Sequence, residues 1–219
     1  MTILTTETAI CPIDGTHFDY TGVASYGTYG CDLDGLPISL TVMPHKIPAC
    51  PTCRFPVWIS DLSEADLATA RDLVASPDHE AMTREAPYAH LEYLLDGLGR
   101  STPVQRANNW LKACWQTPVG TPRYEAYARL LAEATDAASD EIRGRGVEDW
   151  VAFQTFVANV ERQAGLWDAA GARLDRLEGL TDGGDKLERR IARTRALIAA
   201  RDGRRVDDQD DRRTLTRRR

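Results

Sequence analysis

The chain has 219 residues, room for one medium domain or two small ones, and 42% of them are apolar, enough to build a core. A formal net charge of −6 argues against a chain built as a whole to grip nucleic acid. No apolar run reaches the roughly 18 residues of a transmembrane helix. The opening Met1-Thr2-Ile3-Leu4-Thr5-Thr6-Glu7 lacks the basic and long apolar regions of a signal peptide, so a cytoplasmic location is expected.

Residues 1–60 differ from the rest, holding four of the five cysteines and many Gly, Pro, Tyr and Thr residues. Thr16–Tyr20, Pro37–Val42 and Phe55–Ile59 read as short strands or extended pieces. Such a segment has too few apolar residues for a core of its own, and modules of this kind are usually held by a metal or by disulfides. In a reducing compartment Cys-x-x-Cys points to metal or redox chemistry more than to a structural disulfide. Cys11-Pro12-Ile13-Asp14-Gly15 and Cys50-Pro51-Thr52-Cys53 resemble the two knuckles of a zinc ribbon, with Asp14 where the first knuckle would carry its second cysteine.

Cys11, Cys50 and Cys53 are therefore three candidate ligands for Zn2+, which takes four in a tetrahedron. Cys31, in the turn-rich Gly30-Cys31-Asp32-Leu33-Asp34-Gly35, is the preferred fourth, because a thiolate is the softest donor available. Asp14 is the alternative fourth ligand, and His17 and His45 lie near in sequence. A single iron in place of zinc, or a redox dithiol at Cys50 and Cys53, stays open, although no thioredoxin-like βαβ pattern surrounds the pair.

Helical periodicity begins at Ser60-Asp61, where Asp61 with Glu64 three residues on reads as a capping box. Ser76-Pro77-Asp78 ends the first helix, and a second is expected over about 88–98. Thr102-Pro103 and Thr121-Pro122 are start signals for two more, with proline at the first helical position. Stripes from Trp150 to Ala164 and from Trp167 to Leu177 follow, ended by Gly165 and Gly179, and a last helix covers about 186–200. The tryptophans and Cys114 are read as packing residues between helices and His90 as a helix-surface residue. The segment after Asp202 is rich in Arg and Asp, lacks periodicity and is expected to be disordered.

Ala158, Gly165, Trp167, Ala170 and Leu174 look like the centre of a tetratricopeptide (TPR) repeat, while Gln154 and Glu161 depart from that pattern. The fold class that follows is mainly α with a small β part. A zinc-ribbon-like module over 1–60 precedes a TPR-like antiparallel helical array over 61–201 and a tail over 202–219.

The knuckles, Cys31 between them, the stretch Asn109-Trp110-Leu111-Lys112-Ala113-Cys114-Trp115 and the stretch Arg162–Ala170 together resemble an uncharacterised bacterial family, catalogued as domain of unknown function twenty-two twenty-five. Its members carry two Cys-Pro-x-Cys-Gly knuckles followed by TPR-like helices. Asp14 and Arg54 depart from that pattern. The resemblance implies a zinc ribbon with helical repeats and implies no reaction.

There is no Walker loop, no Gly-x-Gly-x-x-Gly and no Gly-x-Ser-x-Gly, so no catalytic residue is assigned. The expected function is that of a zinc-stapled adaptor whose helical face receives a protein or peptide partner. A metal- or thiol-dependent redox protein is the alternative. A nucleic-acid-binding ribbon is third, opposed by the presence of only Lys46 and Arg54 as cations in residues 1–60, against Glu7, Asp14, Asp19, Asp32 and Asp34.

Overall fold

In the computed structural model, residues 2–180 and 185–208 are described. Strands β1 (Ile3–Ile10) and β2 (His17–Ser25) form one antiparallel ribbon, paired from Ile10↔His17 outward. The tight connection between them is the first knuckle. Strand β1 was not foreseen, although the β-branched run Ile3, Thr5, Thr6 and Thr8 suits a pleated surface. Strands β3 (Thr28–Cys31) and β4 (Pro37–Ser39) form a second two-stranded sheet. Phe55–Ile59 is not a strand: it contributes only the isolated bridge Ala49↔Pro56, which closes the second knuckle.

Helix α1 (Glu64–Val74) starts two residues later than Asp61 suggests. Ser63 is its N-cap, and Ser63 and Asp66 complete the capping box reciprocally, while Asp61 takes a left-handed turn at φ 53°. Helices α2 (Pro77–Met82), α3 (Pro87–Gly97), α4 (Pro103–Trp115) and α5 (Pro122–Ala137) follow, each with proline in its first turn. Thr102 and Thr121 cap α4 and α5 as the sequence indicates. A short α6 (Ser139–Arg145) precedes α7 (Val147–Gln163), α8 (Trp167–Asp175) and α9 (Asp185–Ala199).

Among the described residues, α4 packs on α3 and α5, and α7 packs on α5, α8 and α9. No helix among them is long and apolar enough to cross a membrane. The two positions that depart from the repeat pattern have a physical account. Arg173 on α8 is buried and bonds both Glu161 oxygens (3.0 and 2.9 Å) and Gln154 Oε1 (2.6 Å), so polar residues there form a closed internal network.

The core has two parts. One holds Cys11, Cys50, Phe55 and Ile59 together with Ala70, Tyr88, Leu91, Leu111, Tyr124 and Leu131, so the N-terminal module and helices α1–α5 share a single apolar interior. The other lies among α6–α9 around Ile142, Val151, Ala158 and Leu174. Cys114 is buried in the first part, as expected, and Trp150 in the second.

Residues 202–208, expected to begin a disordered tail, fold back on the 31–34 loop. The Leu33 amide donates to Val206 O (2.9 Å) and the Asp208 amide to Cys31 O (3.1 Å). Arg205 Nε meets the buried Asp34 carboxylate at 3.1 Å. Long-range partners, absent from any local pattern, hold this segment. The rest of the expected tail lies outside the described residues.

Candidate metal centre

Each knuckle is a tight turn whose closing bonds are set by its sequence. In the first, the Gly15 amide donates to Cys11 O and the Cys11 amide to Thr16 O, both at 2.9 Å, with Gly15 at φ 73°. In the second, the Arg54 amide donates to Cys50 O and the Cys50 amide to Phe55 O, both at 2.9 Å, with Arg54 at φ 64°. Arg54 thus takes the left-handed position that glycine would fill more easily. The two turns face each other, and Thr16 Oγ1 and Thr52 Oγ1 lie 3.3 Å apart across the join.

One donor atom from each of Cys11, Asp14, Cys50 and Cys53 lies within 4.8 Å of the other three. Cys11 Sγ and Cys53 Sγ are 3.4 Å apart, and Cys50 Sγ is 3.5 Å from Asp14 Oδ2. A tetrahedron of zinc–thiolate bonds has sulfur–sulfur edges of about 3.8 Å, and a sulfur–oxygen edge is about 3.5 Å. These two edges stand close to the separations that a bound ion imposes, and with all four donors within 4.8 Å of one another the residues fit the group.

Backbone amides are aimed at the sulfurs: those of Ile13 and Asp14 at Cys11, those of Thr52 and Cys53 at Cys50, and that of Phe55 at Cys53. Burial pushes the Cys11 and Cys53 thiols up. Burial acts the same way on Cys50, but hydrogen bonds from the Cys53 and Thr52 amides and from the Cys11 and Cys53 side chains together bring that thiol down. The Thr16 amide, donating to Asp14 Oδ1 at 3.0 Å, holds the Asp14 carboxyl below its usual range. Ionised together, three thiolates and a carboxylate at this spacing would bring four negative charges into one place, which a bound metal ion could offset.

The fourth member is Asp14, not Cys31. Cys31 ends β3, in the β3–β4 hairpin, and its sulfur accepts from Arg190 Nη2 on α9 at 3.3 Å. The expectation that softness would select Cys31 fails because β3–β4 and the 202–208 segment hold it elsewhere. His17 starts β2 and stays exposed, and His45 packs edge-on against Tyr26 with ring centroids 4.6 Å apart, so neither joins the cluster.

Two further residues belong to the surroundings of the centre and were not picked out as such from the sequence. His79, at the start of α2, donates through Nε2–H to the Cys53 carbonyl at 2.9 Å, and its Nδ1 faces His90 Nε2 at 3.2 Å. His90, read as a surface residue, is buried on α3, and burial first, then His79 and Arg54, pull its pKa down to about 4. The pair spans an interval of 11 residues across two helices, so no local motif announces it.

No family model matches this chain, and no curated protein or solved structure does either.

Proposed function

We propose that Cys11, Asp14, Cys50 and Cys53 hold one structural Zn2+, and that the protein is a zinc-stapled adaptor whose helical array receives a protein or peptide partner. The single observation that carries the metal reading is the convergence of four donors within 4.8 Å from two turns 36 residues apart. A bound zinc here would staple the β1–β2 turn to the Cys50–Phe55 turn. It would also compensate for a module whose strands expose Ile3, Leu4 and Ile10 rather than burying them. The reading keeps the resemblance to the two-knuckle bacterial family, with one knuckle thiol replaced by a carboxylate.

The adaptor part of the reading rests on the packed helices α3–α5 and α7–α9, which present side-chain surfaces on rigid elements. The three thiols also suit iron, which is the redox reading of the same site.

Elemental analysis of protein purified under reducing conditions without added metal tests both. One zinc per chain, kept in Cys31→Ser and lost or greatly weakened in Cys53→Ser and Asp14→Ala, is the expected result. Iron in place of zinc would favour the redox reading. No metal in any preparation would overturn the centre.

A further inference from the structure

Residues of α3, α4 and α5 line a cavity of about 430 Å³. Helix α4 is the middle one, packed on both of its neighbours. Small-ligand sites run from about 300 to 1,000 Å³, so this cavity admits one or two side chains of a partner and no folded element. Part of its lining is apolar: Trp110 on α4 and Leu130 on α5. Leu130 is a large apolar side chain left 38% exposed. Trp110 packs on Tyr127 with ring centroids 5.5 Å apart, which fixes its ring before any ligand arrives.

The charged part of the lining is acidic. Glu92, Asp96 and Glu133 face a single guanidinium, that of Arg106, for a formal charge of −2. Arg106 is already engaged. Its Nε donates at 3.1 Å to the Glu92 carboxylate, whose side chain is 3% exposed and which also takes Asn109 Nδ2 at 2.8 Å. Asp96, which Arg106 also reaches, is 63% exposed, and Glu133 is exposed on α5. Two carboxylates on the helices that flank α4 are thus open to solvent beside an apolar surface.

We propose that this cavity receives an arginine side chain from a basic segment of a protein partner, its aliphatic stem on Trp110 and Leu130 and its guanidinium paired with Asp96 and Glu133. Arginine joins an apolar stem to a cationic head, which is the pairing the lining presents. Its flat, weakly hydrated head also stacks on an indole better than an ammonium does. An acidic side chain would be repelled here, and a purely apolar one would cover carboxylates without pairing them. The inference rests on the adaptor reading and names the chemistry of its partner; it is independent of the metal centre.

The test is a 15N-resolved NMR titration of the full chain with three blocked peptides, acetyl-Ala-Arg-Arg-Ala-amide, acetyl-Ala-Glu-Glu-Ala-amide and acetyl-Ala-Leu-Leu-Ala-amide. The arginine peptide should shift the Trp110 indole N–H and the Leu130 and Glu133 amides saturably at concentrations up to about 1 mM, while Trp150 in the second core stays in place. Glu133→Lys should weaken that binding about tenfold. Leu130→Glu should weaken it as well, although it adds a negative charge; tighter binding there would reveal attraction to net charge alone and overturn the proposal. Cavity shifts with the leucine peptide and none with the arginine peptide would overturn it and leave the adaptor reading standing. No cavity shift with any of the three would overturn both the proposal and this cavity as the adaptor's receiving face. Cavity signals that move with protein concentration alone would assign the cavity to a second copy, which also overturns it.

Discussion

Replacing Arg173 by alanine should be among the most damaging single changes in the helical array. The Arg173 and Glu161 side chains are each only 3% exposed, and the guanidinium engages both Glu161 oxygens, Gln154 Oε1 and Asp136 Oδ1. The Asp136 side chain is 54% exposed and regains water when the arginine goes, so its share is small, below about 1 kcal/mol. Glu161 has no such recourse: truncation leaves its carboxylate buried, charged and without a counter-ion. Breaking a buried pair from one side costs about 3–5 kcal/mol. For a chain of this size that corresponds to a fall in Tm of roughly 6–20 °C. Replacing both partners by apolar residues, Arg173→Met with Glu161→Leu, removes the stranded charge and should recover most of the loss. Thermal and urea unfolding of the two single variants and the double variant complete the cycle. A single-variant loss below about 1 kcal/mol, or a double variant as unstable as the two losses added, would refute the closed-network account.

Three further predictions concern a support of the centre and the loop that follows Cys31. His79→Phe removes the donor to the Cys53 carbonyl and should weaken metal binding by about 10–100-fold in competition with a chelator; unchanged affinity would show that this contact does not support the site. Gly35 sits at φ 84°, where an added Cβ would meet the Phe156 ring at 3.0 Å, whereas Gly99 at φ 64° has open space. Gly35→Ala should therefore lower stability by more than about 1 kcal/mol and by more than Gly99→Ala, as read from urea midpoints. Burial, then Asp34, push the Asp32 carboxyl up to about 6 against the pull of Arg205, with Asp207 adding to the rise. A raised acid pKa means that the folded state holds the proton more tightly. Its stabilisation is full below the ordinary value of 3.8 and is lost as pH climbs through about 6. Relative to wild type, Asp32→Asn should gain stability between pH 4 and pH 7, and a difference in unfolding free energy that stays constant over that range would contradict the assignment.

The sequence carried the three thiols of the centre because Cys-Pro turns declare themselves locally. It carried α4 and α5 through Thr-Pro starts for the same reason. What it could not carry was set by distant partners. Chemical softness favoured Cys31, but a hairpin held by Arg190 and the 202–208 segment keeps that thiol away, and the turn that positions Cys11 brings Asp14 with it. The helix start slipped from Asp61 to Ser63 because two capping registers overlap in Ser60-Asp61-Leu62-Ser63-Glu64-Ala65-Asp66. Only the second gives a hydroxyl at the cap and a carboxylate three residues on. His90, Gln154 and Glu161 looked like surface or misfit residues because a polar side chain on an apolar stripe is intelligible only once its buried partner, His79 or Arg173, is in place.

The boundary that composition draws near residue 60 does not coincide with a boundary in the core. Cys11, Cys50, Phe55 and Ile59 share one apolar cluster with Tyr88, Leu91 and Leu111, and Trp58 meets Tyr88 with ring centroids 5.9 Å apart. Arg100 Nη1 donates to Ser60 O at 2.9 Å, and His79 holds the Cys53 carbonyl from α2. Stripping a bound ion from the knuckles would then loosen packing under α1–α5 as well as the ribbon. Structural zinc contributes on the order of 10 kcal/mol in small metal-folded domains, a sum larger than the whole net stability of many proteins. Chelation should therefore lower the melting temperature of the helices, seen by far-UV circular dichroism, and that of the core, seen by tryptophan fluorescence, together and by the same amount. An early ribbon transition followed by an unchanged helical one would mean that the two parts fold independently, and that the shared core contributes little to coupling them.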